Sequence, residues 1–88
     1  MKRVLLVDVR QPAELSGGRF PKAVNIPLAE LEAYAAGLDP AAPVMLACRS
    51  GNRSRKGAKR LAALGFSEVS NVQGGVNGWR RAGLPLAR

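Results

Sequence analysis

The stretch Val44-Met45-Leu46-Ala47-Cys48-Arg49-Ser50-Gly51-Asn52-Arg53-Ser54 decides the reading of this chain. Its first four residues are apolar and short enough for a buried strand, and the run from Ser54 to Leu64 places Ala58, Leu61, Ala62 and Leu64 among basic residues at helical spacing. Between strand and helix lies a glycine-containing loop that opens on Cys48, the only cysteine in the sequence. Such a loop turns backbone N–H groups inward, and the following helix adds the positive end of its dipole. Arg49 and Arg53 add full charges, so the thiol is expected to ionise more readily than a free one, and the thiolate is the reactive form. The plain alternative for a lone cysteine is a buried, inert thiol.

The same strand and helix logic extends in both directions. Val4 to Val9 reads as a strand ended by Arg10-Gln11-Pro12, and a short turn or helix from Pro12 is broken at Gly17-Gly18. Ala23 to Ile26 reads as a second strand closed by Pro27. Leu28, Leu31, Tyr34 and Ala35 then fall at helical spacing up to Gly37 and Asp39-Pro40. The helix after the cysteine loop stops at Gly65, a fourth strand covers Glu68 to Val72, and Gly74-Gly75 leads into a last short helix stopped by Gly83 and Pro85. Alternation of this kind predicts an α/β fold: a small, mostly parallel β-sheet with helices on both faces, whose ligands bind beyond the carboxyl ends of the strands. Cys48 sits at that edge.

At 88 residues the sequence predicts one domain over residues 1–88, with 47% apolar residues to fill a single core. With one cysteine and no histidine there is no internal disulfide and no familiar metal-ligand spacing, so neither metal nor other cofactor is expected. Neither a secretory leader nor an apolar run of about 18 residues is visible, so a cytoplasmic location and no membrane partner are expected. Fourteen Lys and Arg against six Asp and Glu raise the question of nucleic acid. The aromatic residues are few and are not interleaved with the cluster Arg49, Arg53, Arg55, Lys56, Lys59, Arg60, so no nucleic-acid partner is expected. The cluster surrounds the cysteine instead, where it would steer small anions or an acidic protein partner.

Four blocks, taken in order, resemble the single-domain rhodaneses, a sulfurtransferase family. They are Asp8-Val9-Arg10 with Glu14, Ala23-Val24-Asn25-Ile26-Pro27, the loop Cys48 to Ser54, and Gly74-Gly75 with Trp79 and Gly83-Leu84-Pro85; Leu64-Gly65-Phe66 precedes the last block as a helix ending typical of these domains. The resemblance implies a rhodanese-like three-layer fold. It also implies that Cys48 is the catalytic nucleophile, taking the outer sulfur of a donor such as thiosulfate as a persulfide and passing it to a thiophilic acceptor. That acceptor would be cyanide in an assay, and a thiol or sulfur-relay protein in the cell. Backbone N–H groups along Arg49, Ser50, Gly51, Asn52, Arg53 and Ser54 would surround the persulfide, with Gly51 supplying unusual dihedrals. Arg49 is the expected contact for leaving sulfite, and Arg53 either binds substrate or braces the loop. Asp8, Arg10 and Glu14 are expected to form a structural ion-pair set, and Trp79 to anchor the last helix in the core.

The chain departs from the family pattern in two places. Only Met1-Lys2-Arg3 precedes the strand that runs into the Asp-Val-Arg block, so the sheet is expected to lack the family's first edge strand, beside the strand at Val69 to Val72. An edge left open there predicts weak self-association or marginal stability, where a strict monomer of high thermal stability in sedimentation and melting experiments would contradict it. The second departure is Gly18-Arg19-Phe20-Pro21-Lys22, where the family places glycine at the position of Lys22.

Two other readings use the same residues. A cysteine-loop phosphatase or arsenate reductase also has a cysteine, a loop and an arginine at a helix N-terminus, but with five residues between cysteine and arginine; Cys48 and Arg53 have four. A noncatalytic rhodanese-like interaction module would keep the fold but usually lacks the cysteine.

Overall fold

The computed structural model describes residues 4–83 and residue 86. Four strands form one parallel sheet in the order β2-β1-β3-β4, with β1 Leu5–Asp8, β2 Val24–Asn25, β3 Val44–Ala47 and β4 Val69–Asn71. The helices are α1 Leu31–Ala35, α2 Asn52–Ala63 and α3 Gly75–Arg81, with 3₁₀ turns at Pro12–Gly17 and Leu28–Glu30. Because side chains on a strand alternate between faces, β1 divides its residues between two cores. Val7 and Val9 join Val44, Leu46, Leu31, Leu61 and Phe66 beneath α1 and α2, while Leu6 packs with Ala47, Phe20, Val76 and Trp79 beneath α3. The result is the expected three-layer arrangement, with helices on both faces of the sheet.

α3 is held by an aromatic contact: Trp79 meets the buried Phe20 edge to face, with ring centroids 5.2 Å apart. Such a pair contributes about 0.5–1.5 kcal/mol beyond its buried area, so Trp79 acts as the anchor foreseen for the last helix.

The boundaries differ from the sequence reading where hydrogen bonding, not hydrophobicity, sets them. The strand expected over Ala23 to Ile26 contracts to two residues, although Ile26 still donates its N–H to the Asp8 carbonyl at 2.9 Å. The helix expected from Leu28 begins as a 3₁₀ turn. Glu30, at φ −105° and ψ 1°, interrupts it before α1. α2 starts at Asn52 rather than Ser54, which brings the cysteine loop closer to the helix end.

Among the described residues β4 is the edge strand on the β3 side, with Ser70 and Asn71 exposed. Register explains which groups face outward. Glu68 and Val72 exchange hydrogen bonds with Val44 and Leu46 of β3, so the backbone groups of Val69 and Asn71 point to the open side. Met1-Lys2-Arg3, where an extra strand would begin, lie outside the described residues.

The turn at Lys22 persists without its glycine: Lys22 adopts a left-handed conformation with φ 61°. That conformation costs a non-glycine residue about 1–2 kcal/mol, whereas glycine carries an entropic cost of about 0.5–1 kcal/mol. Lys22→Gly is therefore expected to stabilise the fold by about 0.5–1 kcal/mol, seen as a melting temperature higher by about 2–8 °C. An unchanged or lower melting temperature would contradict this.

Candidate active site

Cys48 leaves the carboxyl end of β3 and is 1% exposed. The chain then turns through Arg49 and Ser50 to Gly51, whose φ of 103° is reached readily only by glycine, and enters α2. This turn wraps backbone donors around the sulfur. The Gly51 N–H donates to Cys48 Sγ at 2.9 Å, and the Ser54 N–H lies 3.5 Å from it. The Ser54 hydroxyl, fully buried, accepts from the thiol at 3.5 Å and donates to the Gly51 carbonyl at 3.1 Å.

These contacts decide the ionisation of the thiol. Burial pushes its pKa up, but the Ser54 hydroxyl and the N–H groups of Ser54, Gly51 and Ser50 outweigh burial, leaving it below the usual cysteine value. The sequence points to inward backbone N–H groups, the helix dipole and the charges of Arg49 and Arg53 together. In the structure hydrogen bonds come ahead of either charge, because Arg49 is exposed and Arg53 is engaged elsewhere. When the thiol ionises, the single Ser54 hydroxyl proton can turn from the Gly51 carbonyl to the sulfur. That carbonyl still accepts from the Arg55 N–H at 3.1 Å and from Arg55 Nε at 3.3 Å, so nothing buried is left unsatisfied.

The loop is also clamped from behind. The N–H of Val76 donates to the Cys48 carbonyl at 2.8 Å and the N–H of Asn77 to the Arg49 carbonyl at 3.0 Å. These are free donors in the first turn of α3, and the loop takes them up. Gly75 makes the approach possible, since a Cβ there would stand 2.2 Å from the Cys48 carbonyl oxygen.

The side chains flanking the thiol divide into separate groups. Arg53 Nη2 and Nη1 grip the Glu14 carboxylate at 2.7 and 2.5 Å, joining α2 to the 3₁₀ turn after β1. Asn52 accepts from Arg55 at 2.7 Å. Arg49 borders a cavity of about 280 Å3 together with Arg10, Glu14, Asn77 and Arg80, and Ser50 and Gly51 border a separate one. Among the described residues Gly51, Ser54 and the Ser50 N–H converge on the Cys48 sulfur. The expected triple set of Asp8, Arg10 and Glu14 is corrected: Asp8 and Arg10 form a buried pair at 2.8 Å, while the Glu14 carboxylate turns to Arg53. From Glu14, Arg10 takes the backbone carbonyl, at 3.3 Å, and not the carboxylate.

The Arg53 guanidinium holds the Glu14 carboxyl down at about 2, well below the usual 4.5. A depressed folded-state pKa stabilises above the unfolded value, so this contribution is complete above about pH 4.5 and disappears as pH falls toward 2. The pair is part-exposed, which limits its worth to about 1 kcal/mol. Glu14→Gln is expected to lose that amount at pH 7 and only a fraction of it at pH 2, where the carboxyl is about half protonated, as read by urea unfolding at both values; equal losses would show that the carboxylate charge is not the cause.

The chain matches the rhodanese-like domain family over residues 1–82. It belongs to that family. A sulfurtransferase of Allochromatium vinosum is 37% identical over 83 residues, covering 94% of this chain and 78% of that protein. A rhodanese-related protein of Thermoplasma volcanium superposes with a TM-score of 0.85 at 32% identity, covering 96% of this chain and 83% of that one. The rhodanese-like domain of an Anabaena protein superposes with a TM-score of 0.87 at 22% identity, covering 98% of this chain and all of that one, and bears on the fold. Other relatives are longer: this rhodanese-like domain spans 48% of one from Synechocystis and 62% of one from Bacillus subtilis.

The clamp by Val76 and Asn77 and the turn of Glu14 toward Arg53 were not read from sequence. The visible signal for the first was Gly74-Gly75 ahead of a helical stretch, which by itself indicates a turn.

Proposed function

We propose that this rhodanese-like domain is a sulfurtransferase that carries sulfane sulfur on Cys48. The observation that supports it best is the ring of donors about Cys48 Sγ, led by the Gly51 N–H at 2.9 Å. In the first half-reaction the thiolate attacks the outer sulfur of thiosulfate. A Cys48–sulfur bond forms, the sulfur–sulfur bond of the donor breaks, and sulfite leaves with the electron pair. Loop N–H groups then stabilise the anionic persulfide, and Arg49 with Arg80 beside the smaller cavity receives sulfite. In the second half-reaction a thiophilic acceptor removes the outer sulfur and restores the thiolate. Donor and acceptor are small anions or thiols, or a sulfur-relay protein drawn by the basic face, in a cytoplasmic setting.

The phosphatase reading is weakened by Arg53. An arginine that cradles a tetrahedral oxyanion must be free to face it, and here both terminal nitrogens bind Glu14. Kinetics tests the proposal: thiosulfate and cyanide should give thiocyanate by double displacement, with parallel reciprocal plots. Intersecting plots, or Cys48-dependent hydrolysis of a phosphate ester without thiocyanate formation, would overturn it.

A further inference from the structure

The thiol loop has a second cavity on its other side, of about 560 Å3, bordered by Ser50, Gly51, Arg55, Gln73, Gly74 and Arg81. The donor half-reaction uses none of its side chains. Its connection to the thiol is short. Gly51 both borders it and donates to Cys48 Sγ; a Cβ on Gly51 would lie 3.9 Å from the Gly74 nitrogen, and one on Gly74 would lie 3.8 Å from Arg81 Nη2. The Arg81 guanidinium therefore stands over the glycine turn that backs the loop.

Its charge is unbalanced. Among the described residues no Asp or Glu borders it, and neither Arg55 nor Arg81 is paired with a carboxylate. Arg55 spends two of its donors on Gly51 and Asn52, and Arg81 spends one on the Asn77 carbonyl at 3.4 Å. The remaining N–H groups have the fork geometry that suits carboxylates. This cavity has twice the volume of the one at Arg49, about 560 against about 280 Å3, and falls well inside the range of about 300 to 1,000 Å3 for small organic ligands.

We infer that the larger cavity is the acceptor subsite, and that it selects a small thiol bearing carboxylate groups, held by Arg55 and Arg81. This rests on the sulfurtransferase reading. The acceptor thiolate attacks the outer sulfur of the Cys48 persulfide; the new sulfur–sulfur bond forms as the bond to Cys48 Sγ breaks, and the electron pair returns to Sγ. The acceptor leaves as a persulfide, with no outside oxidant or reductant. The acceptor sulfur attacks in line, from the position that sulfite left, while its carboxylates reach to Arg55 and Arg81 on the side of the larger cavity, so Arg81 acts on the second half-reaction.

The test loads the protein with thiosulfate, removes the excess, and follows persulfide loss with mercaptosuccinate or neutral 2-mercaptoethanol at equal thiolate concentration. Mercaptosuccinate should react at least about tenfold faster, and Arg81→Glu should remove that advantage while leaving 2-mercaptoethanol within about twofold. Lys59→Glu changes net charge equally but lies outside the cavity lining, and should preserve most of the preference. Equal rates for the two thiols, or equal effects of the two charge reversals, would overturn the inference. If no persulfide loads at all, the sulfurtransferase reading fails instead. Succinate titrated into the unloaded protein then still decides the site: amide shifts at Gly74 and Arg81, absent in Arg81→Glu, support it, and none reject it.

Discussion

Gly75→Ala is expected to cost about 3–4 kcal/mol and to lower the melting temperature by roughly 12–30 °C. The left-handed conformation at φ 59° costs alanine about 1–2 kcal/mol. The larger problem is space. The new methyl would stand 2.2 Å from the Cys48 carbonyl oxygen and 2.7 Å from the Arg49 carbonyl carbon and oxygen, all backbone atoms that no side-chain rotation relieves. The loop or α3 must withdraw, breaking the hydrogen bonds from Val76 and Asn77 at about 1 kcal/mol each. For a domain of this size each kcal/mol corresponds to about 4–8 °C. Because the displaced carbonyl belongs to Cys48 itself, alkylation of the thiol by iodoacetamide should also shift to higher pH. A variant that melts like the wild type would show that the α3 clamp does not hold the loop.

Cys48→Ala is expected to lower thiocyanate formation by at least about a thousandfold, since loss of a covalent nucleophile removes the whole double-displacement route. Its fold should survive. Cys48 is packed in the core among Val9, Leu46 and Leu61, so exchange for a slightly smaller apolar residue costs about 1 kcal/mol in packing, and the Gly51 N–H that loses its acceptor adds about 1–3 kcal/mol. Cys48→Ser should be as inactive, because a hydroxyl in the same ring does not ionise enough to attack sulfur. A serine variant with appreciable turnover would point to a different nucleophile.

The residues that sequence reading placed well are those whose signal is local. Val44 to Ala47 is a run of apolar residues that must be buried on both faces, and it forms β3 with the bounds expected. The Cys48 loop is legible because a glycine and a helix start follow a strand directly. Contacts distant in sequence were not legible. Glu14 lies 39 positions from Arg53, and a nearer cation, Arg10, competes for it on paper; burial decides, because Asp8 is already in the core and takes Arg10. The approach of Gly75 to Cys48 likewise depends on how α3 docks across the sheet. The inward N–H groups are legible in the loop's pattern, whereas the expected share of arginine charge at the thiol follows from proximity in sequence, and the direction in which each side chain leaves the loop is a property of the fold.

The proposal stands on a persulfide at Cys48, and mass spectrometry of wild type and Cys48→Ala after incubation with thiosulfate measures it directly. The account predicts a gain of one sulfur atom on the wild type alone, lost when cyanide is added. A wild type that gains no mass, or a gain shared by Cys48→Ala, would contradict it.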